Sequence, residues 1–186
     1  RKDGMFLAFH LDVEFKEMQE CFLAYLKPGA RILDFGCGSG RDTKYFLDRG
    51  FETDAADGSE ELVRIASEYT GIEVRLMYFQ DLDEKEAYDG IWACSSILHL
   101  AYRELEDVFI KMARALTSHG ILYTSFKYGT AEGERNGRYF TDMTEEKMDK
   151  LLKDVNLFDI LEMWVTSDVR PGRAEEKWLN MILRKK

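Results

Sequence analysis

Along this chain the hydrophobic pattern switches repeatedly between the helical and the extended period. Residues 12–26 read as an amphipathic helix: Phe15, Met18, Phe22 and Tyr25 recur at helical spacing, Asp12 can cap the start, and Pro28-Gly29 ends the run. Short apolar runs then alternate with polar, helix-forming ones. Strands are predicted over Ala30–Phe35, Phe51–Ala56, Glu73–Phe79, Gly90–Cys94 and Ile121–Tyr128. Between them fall helices over Arg41–Arg49 (closed by Gly50), Glu60–Tyr69 (with Gly71 beyond) and about Arg103 to Leu116. Such alternation predicts a parallel sheet covered on both faces through right-handed crossovers. After Lys127 the rhythm changes. A charged, glycine-containing loop at 129–138 leads to a helix over Glu145–Val155, then to two strand-like runs, Phe158–Val165 and Trp178–Arg184, joined by a charged turn. Two strands joined without a helix predict an antiparallel hairpin at the sheet edge. No repeat, low-complexity tract or linker interrupts the pattern, so residues 1–186 are expected to form one domain. Its parts are an N-terminal lid and helix (1–27), a core (28–128), and a loop, helix and edge hairpin on the substrate side (129–186).

The densest chemical signal is ILDFGCGSGRDT, residues 32 to 43. A strand ends in an acid, Asp34, and three glycines follow in alternation, Gly36, Gly38 and Gly40, before a helix start. Glycines permit a sharp turn with φ > 0 and leave room for a ligand against the main chain, while the N–H groups of the next helix face that ligand. A dinucleotide fingerprint, G-x-G-x-x-G, would need its third glycine at position 41, which is Arg41. The chain reads G-x-G-x-G instead. In open α/β sheets ligands lie beyond the carboxyl ends of the strands, and the next two strands end in Asp57-Gly58-Ser59 and Gln80-Asp81-Leu82. An acid after the second strand can accept hydrogen bonds from both ribose hydroxyls, the plainer use being a helix cap. A carboxylate after the third can accept the amino hydrogens of adenine.

This combination resembles motif I and the following strand ends of the class I S-adenosylmethionine-dependent methyltransferases. The whole chain resembles the small bacterial type, including the tellurite-resistance-related enzymes; DFGCGSGRDT and the acids at 57 and 81 carry the likeness. The resemblance implies a Rossmann-like α/β fold: a mostly parallel seven-stranded sheet in the order 3-2-1-4-5-7-6, an antiparallel edge hairpin, and helices on both faces. It implies S-adenosylmethionine as cofactor and S-adenosylhomocysteine as product. Asp34 would lie near the methionine end, often through water, with Gly36, Cys37, Gly38, Gly40 and Arg41 forming the loop. Asp57 would take the ribose and Gly58 lie beside the adenine, which Gln80, Asp81 and Leu82 would contact. In YDGIWACSSILHL, 88–100, backbone and small side chains near Ala93–Ser96 would approach the methyl group, with Ala93 and Cys94 among the cofactor contacts. Amino-methylating DNA enzymes place [N/D/S]-P-P-[Y/F] there; this chain has no proline between 28 and 171, so DNA methylation is not expected.

Composition narrows the classes. With 186 residues, 45% hydrophobic and 13% aromatic, the chain can bury a real core. No apolar run approaches the roughly 20 residues of a membrane span, and the first ten residues are too short an apolar patch for a signal peptide. The chain begins at Arg1 rather than Met, so native residues are expected before it. Cys21, Cys37 and Cys94 are widely spaced and odd in number, which suits a reducing cytoplasm. The formal net charge is −9: residues 125–186 hold 12 basic and 12 acidic side chains, leaving 14 against 23 in residues 1–124. General nucleic-acid binding, which needs a basic face, is not expected, and oligomeric state stays open. His10, His99 and His119 form no metal-ligand pair, and a G-x-S-x-G elbow is missing.

On the substrate side, His99 reads either as a general base or as a polar residue lining the pocket or capping the next helix. Lys127, Tyr128, Arg135, Arg138, Tyr139 and Phe140 follow the fifth strand, and Arg170 and Arg173 lie in the hairpin turn. Guanidinium pairs recognise oxyanions directionally, so loops folding over the cofactor would select a small-molecule methyl acceptor, an anion or acid. Met5, Phe6 and Phe9 offer an apolar lid or ordinary core packing. The expectation is a methyltransferase acting by direct displacement. Two alternatives stay open: a non-catalytic S-adenosylmethionine-binding sensor or scaffold, and a nicotinamide-dependent oxidoreductase, against which Arg41 argues.

Overall fold

The computed structural model describes residues 16–168 and 170–186. Helical turns at residues 16–23 (α1) lead into β1 Arg31–Phe35, α2 Arg41–Asp48, β2 Glu52–Asp57, α3 Glu60–Thr70, β3 Arg75–Leu76, β4 Tyr88–Ala93, α4 Tyr102–Ala115 and β5 Leu116–Lys127. There follow β6 Glu132–Arg135, β7 Arg138–Thr141, α5 Glu145–Val155, β8 Phe158–Ser167 and β9 Lys177–Lys185, with 3-10 turns at Phe79–Asp81 and Ile97–His99. The start of the predicted 12–26 helix and the 4–10 segment lie outside the described residues.

Seven strands form one sheet in the order β3-β2-β1-β4-β5-β9-β8. The first five are parallel, and β9 runs antiparallel to both β5 and β8. With β8 and β9 as the sixth and seventh strands of the sheet, this is the expected 3-2-1-4-5-7-6. Side chains on a strand alternate between faces, and two cores result. Leu33, Phe35, Ile91 and Leu122 pack with Leu105, Val108, Phe109 and Met112 of α4 and with α5. Those α4 positions follow i, i+3, i+4, i+7, the spacing that puts one stripe on the sheet. On the other face Ile32, Trp92, Tyr123 and Ile182 meet Phe22 of α1 and Phe46 of α2. Trp92 stands at its centre, stacked on Tyr123 at 4.1 Å and against Phe22 and Phe46 at 5.3 and 5.4 Å. With β1 flanked by β2 on one side and β4 on the other, a crevice opens beyond its carboxyl end, where such sheets take ligands.

Three expectations need correction. The predicted strand 73–79 contributes only Arg75–Leu76, which pair with Ala56 and Asp57; the chain then tightens into the 3-10 turn. Helix α4 ends at Ala115, and β5 begins at Leu116 rather than Ile121. The segment read as a loop, 129–138, enters a two-stranded ribbon, β6 with β7, turning at Asn136-Gly137. Both turn residues have positive φ, 52° and 78°, the geometry that Asn-Gly supplies in two-residue hairpins.

Candidate functional site

At the carboxyl end of β1 the chain must turn at once into α2, and Gly36, Gly38 and Gly40 take φ of 84°, 57° and 93°. They serve different ends. A Cβ on Gly36 would sit 2.5 Å from the Cβ of Ser96, and one on Gly40 would sit 2.9 Å from Cγ2 of Thr70. Nothing lies within 4 Å of a Cβ on Gly38, so the middle of the loop borders open space. The loop is tied to β2: the N–H groups of Gly36 and Cys37 donate to the Ala56 carbonyl at 2.9 and 3.0 Å. The N–H of Gly38 donates to one carboxylate oxygen of Asp57 at 2.9 Å, and that of Ser59 to the other at 3.0 Å. The cap of α3 is Ser59, whose hydroxyl accepts from the Leu62 N–H at 3.3 Å, and each Asp57 carboxylate oxygen can accept a second bond.

Asp34 is only 2% exposed and accepts from the Thr43 hydroxyl at 2.6 Å. It stands behind the loop rather than on an open surface. Burial first, and the negative Asp42 second, push its carboxyl well above the ordinary range. Asp42 accepts from Gln19 Nε2 at 2.5 Å and from the Trp92 indole N–H at 3.0 Å; Arg41 Nε lies 3.3 Å from it at the rim. Asp42 in the first turn of α2 and Asp34 beneath it thus form a buried acidic pair in which the Asp34 carboxyl favours its neutral form.

On the far side, Gly58 lies under the Tyr78 ring, whose Cδ1 would be 3.2 Å from a Cβ there. Tyr78, 67% exposed, was not among the sequence candidates; its place beside Gly58 is set by the 3-10 turn that replaces the predicted strand. Asp81 and Gln80 are exposed, Leu82 is buried, and the Gln80 carbonyl accepts from Lys111 Nζ.

Beyond β4 and β5 opens a cavity of about 910 Å³. Arg41 and Cys94 form its border toward the glycine loop; Ala93 is fully buried beneath. Ser95, held at φ 51°, donates its N–H to the Ser125 hydroxyl at 2.8 Å. His99, Tyr128, Arg138, Arg170 and Arg173 line this cavity. Tyr139 does not. Alternation along β7 places Arg138 and Phe140 on the cavity side, while Tyr139 lines a second cavity of about 560 Å³ and its hydroxyl donates to Glu132 at 2.8 Å.

The walls carry seven Lys and Arg side chains against four acids, in a chain of net charge −9. Arg135 grips Asp142 through both guanidinium nitrogens, at 2.9 and 2.6 Å. Arg170 does the same to Asp168, which also accepts from the Trp178 indole N–H at 3.2 Å. The Arg170 contact holds the Asp168 carboxyl well below the usual range. Lys127 sits over the rings of Phe140 and Trp178, 4.8 and 5.9 Å from their centres. Among the described residues, Arg138 and Arg173 form no ion pair. Asp142, Asp168, Ser125 and Trp178 escaped sequence reasoning because nothing in their spacing ties them to the glycine loop. Burial pushes the Cys94 thiol up to about 12 and that of Cys37 higher still, so neither is primed as a nucleophile. The His99 Nδ1 lies 2.8 Å from the Tyr139 carbonyl oxygen.

Residues 32–120 match the family described as Methyltransferase domain. A Staphylococcus carnosus (strain TM300) protein named as an uncharacterized methyltransferase is 28% identical over 123 residues, 62% of this chain and 59% of its own length. The chain spans about half the length of the curated relatives it matches. The structure of Burkholderia thailandensis 1,6-didemethyltoxoflavin-N1-methyltransferase, with that compound and S-adenosylhomocysteine bound, superposes with TM-score 0.75 at 24% identity, over 90% of this chain and 76% of that one. TehB from Haemophilus influenzae superposes with TM-score 0.74 at 19% identity, over 91% of this chain and 62% of that one. At these identities the structural likeness is one of fold. The chain is thus similar to the methyltransferase-domain family from its glycine loop through the strands that follow, and it shares its fold with these methyltransferase structures.

Proposed function

We propose that this protein transfers the methyl group of S-adenosylmethionine to a small anionic acceptor held in the cavity beyond β4 and β5. When bound, the cofactor supplies a methyl group already activated on a sulfonium, so the protein's task is alignment; orientation alone can supply on the order of 7–11 kcal/mol. The open flank of Gly38 and the spare lone pairs of Asp57 fit the ribose. Asp81, with Gly58, Gln80 and Leu82 nearby, fits the adenine. Asp42 of the first turn of α2, with Asp34 beneath it, lies where the methionine end would sit, with Gly36, Cys37, Gly40 and Arg41 framing it. Ala93 and Cys94 stand where the two compartments meet. Three free thiols, Cys21, Cys37 and Cys94, fit a cytoplasmic location, and no described helix is long and apolar enough to cross a membrane.

One observation supports the acceptor's charge above all. The cavity is rich in cations, and two of its arginines are already matched by buried aspartates, while Arg138 and Arg173 form no ion pair among the described residues. A hydrogen bond to a charged group contributes about 1.5–3 kcal/mol. Arg138→Gln and Arg173→Gln should therefore each raise the acceptor KM roughly 10- to 150-fold, with S-adenosylhomocysteine affinity held within about twofold. Steady-state kinetics paired with calorimetry checks this; equal losses in both measurements would remove these arginines from acceptor binding. If the cofactor binds and no small acid is ever labelled, the sensor reading replaces this one.

A further inference from the structure

His99 borders both the large cavity and the smaller one behind it. Its ring is fixed twice, by Nδ1 against the Tyr139 carbonyl at 2.8 Å and by an edge contact with Phe140 at 4.8 Å. A carbonyl oxygen only accepts, so Nδ1 carries the proton and Nε2 keeps its lone pair. The charged neighbours differ on the two sides. Lys127 of β5 and Arg138 of β7 face the ring from the large cavity, where Arg135 is spent on Asp142; Arg103, Glu104 and Glu132 line the other. We propose that His99 is the general base of this enzyme, so that the atom it methylates is an O–H or N–H of an anionic molecule. This rests on the methyl-transfer reading above and adds the acceptor atom to it.

The step balances. The acceptor's X–H bond breaks and its proton passes to Nε2; the freed pair on X forms the bond to the methyl carbon. The carbon–sulfur bond breaks with its electrons remaining on sulfur, leaving the neutral thioether of S-adenosylhomocysteine and an imidazolium. Water then takes the proton. Burial together with Lys127 and Arg138 holds the His99 pKa below the ordinary histidine value, which keeps the ring neutral and receptive near pH 7. The same short strand, β7, supplies Arg138 for the anion and the Tyr139 carbonyl for the base, so acceptor binding and ring orientation share one element.

His99→Asn tests this, because the amide N–H₂ can still donate to Tyr139 while the base is lost. The assay follows labelled S-adenosylmethionine with hydroxy- and amino-substituted carboxylic acids and, separately, selenite, whose selenium lone pair attacks without losing a proton. The parent should label members of the protic set, with kcat falling at low pH along a single-proton limb. His99→Asn should lower kcat roughly 10²- to 10⁴-fold, abolish that limb and leave S-adenosylhomocysteine affinity unchanged. A variant within a few-fold of the parent, or one retaining the same limb, overturns the inference. So does labelling of selenite alone, which would leave methyl transfer established. Labelling of nothing overturns it too; calorimetry then tells whether cofactor binding survives or the methyltransferase reading falls with it.

Discussion

Replacing Gly36 by alanine should destabilise the protein by about 2–5 kcal/mol, whereas alanine at Gly38 should cost about 1–2 kcal/mol. Both glycines have left-handed φ, 84° and 57°, which costs an L-residue about 1–2 kcal/mol. Only at Gly36 does a second cost arise. The new methyl would lie 2.5 Å from the Ser96 Cβ, and Ser96 is buried with its hydroxyl donating to the Phe35 carbonyl at 2.8 Å, so it has nowhere to retreat. Overpacking of this sort adds about 1–3 kcal/mol. At Gly38 the methyl enters the free space assigned to the cofactor, so the loss there should fall on binding. Urea unfolding of both variants, paired with S-adenosylhomocysteine titration, separates the two roles. Equal destabilisation at both positions would mean that the loop is structural throughout.

Asp57→Ala should weaken cofactor binding roughly 10- to 150-fold, the equivalent of about 1.5–3 kcal/mol for a charged hydrogen-bond acceptor. The carboxylate does two things at once. It fixes the N–H groups of Gly38 and Ser59, at 2.9 and 3.0 Å, and it has lone pairs left for ribose hydroxyls. Removing it loosens the loop as well as the ligand, so some stability should be lost. Asp57→Asn separates the effects: its carbonyl oxygen can keep one backbone bond, and its amide cannot accept from a hydroxyl. Asn should recover most of the stability and little of the affinity. Unchanged affinity in both variants would place the ribose elsewhere.

The sheet was legible in the sequence because most early strands are short apolar runs bounded by a glycine or an acid, and the periodicity switches cleanly at Gly36 and Gly58, though not at Gly120, which lies inside β5. The loop residues were legible for the same reason, since backbone geometry itself demanded those glycines. The β6–β7 ribbon was not read, although Asn136-Gly137 is a strong turn signal, because its strands are four residues each and largely polar. Tyr139 was grouped with Arg138 as a consequence: without the ribbon there is no alternation to place the two on different faces. The pairings of Arg135 with Asp142 and Arg170 with Asp168 also lay beyond periodicity. A list of arginines cannot tell which of them are already matched, and here that difference selects Arg138 and Arg173.

Methyl transfer requires that the crevice beside Gly38 and Asp57 accept an adenosine joined through sulfur to an amino acid, and no diphosphate. Calorimetric titration of the unmodified protein with S-adenosylhomocysteine, and separately with NADH, tests it most directly. We expect saturable one-to-one binding of the first and no heat of binding from the second. Saturable binding of NADH, or a flat titration with S-adenosylhomocysteine, would contradict it.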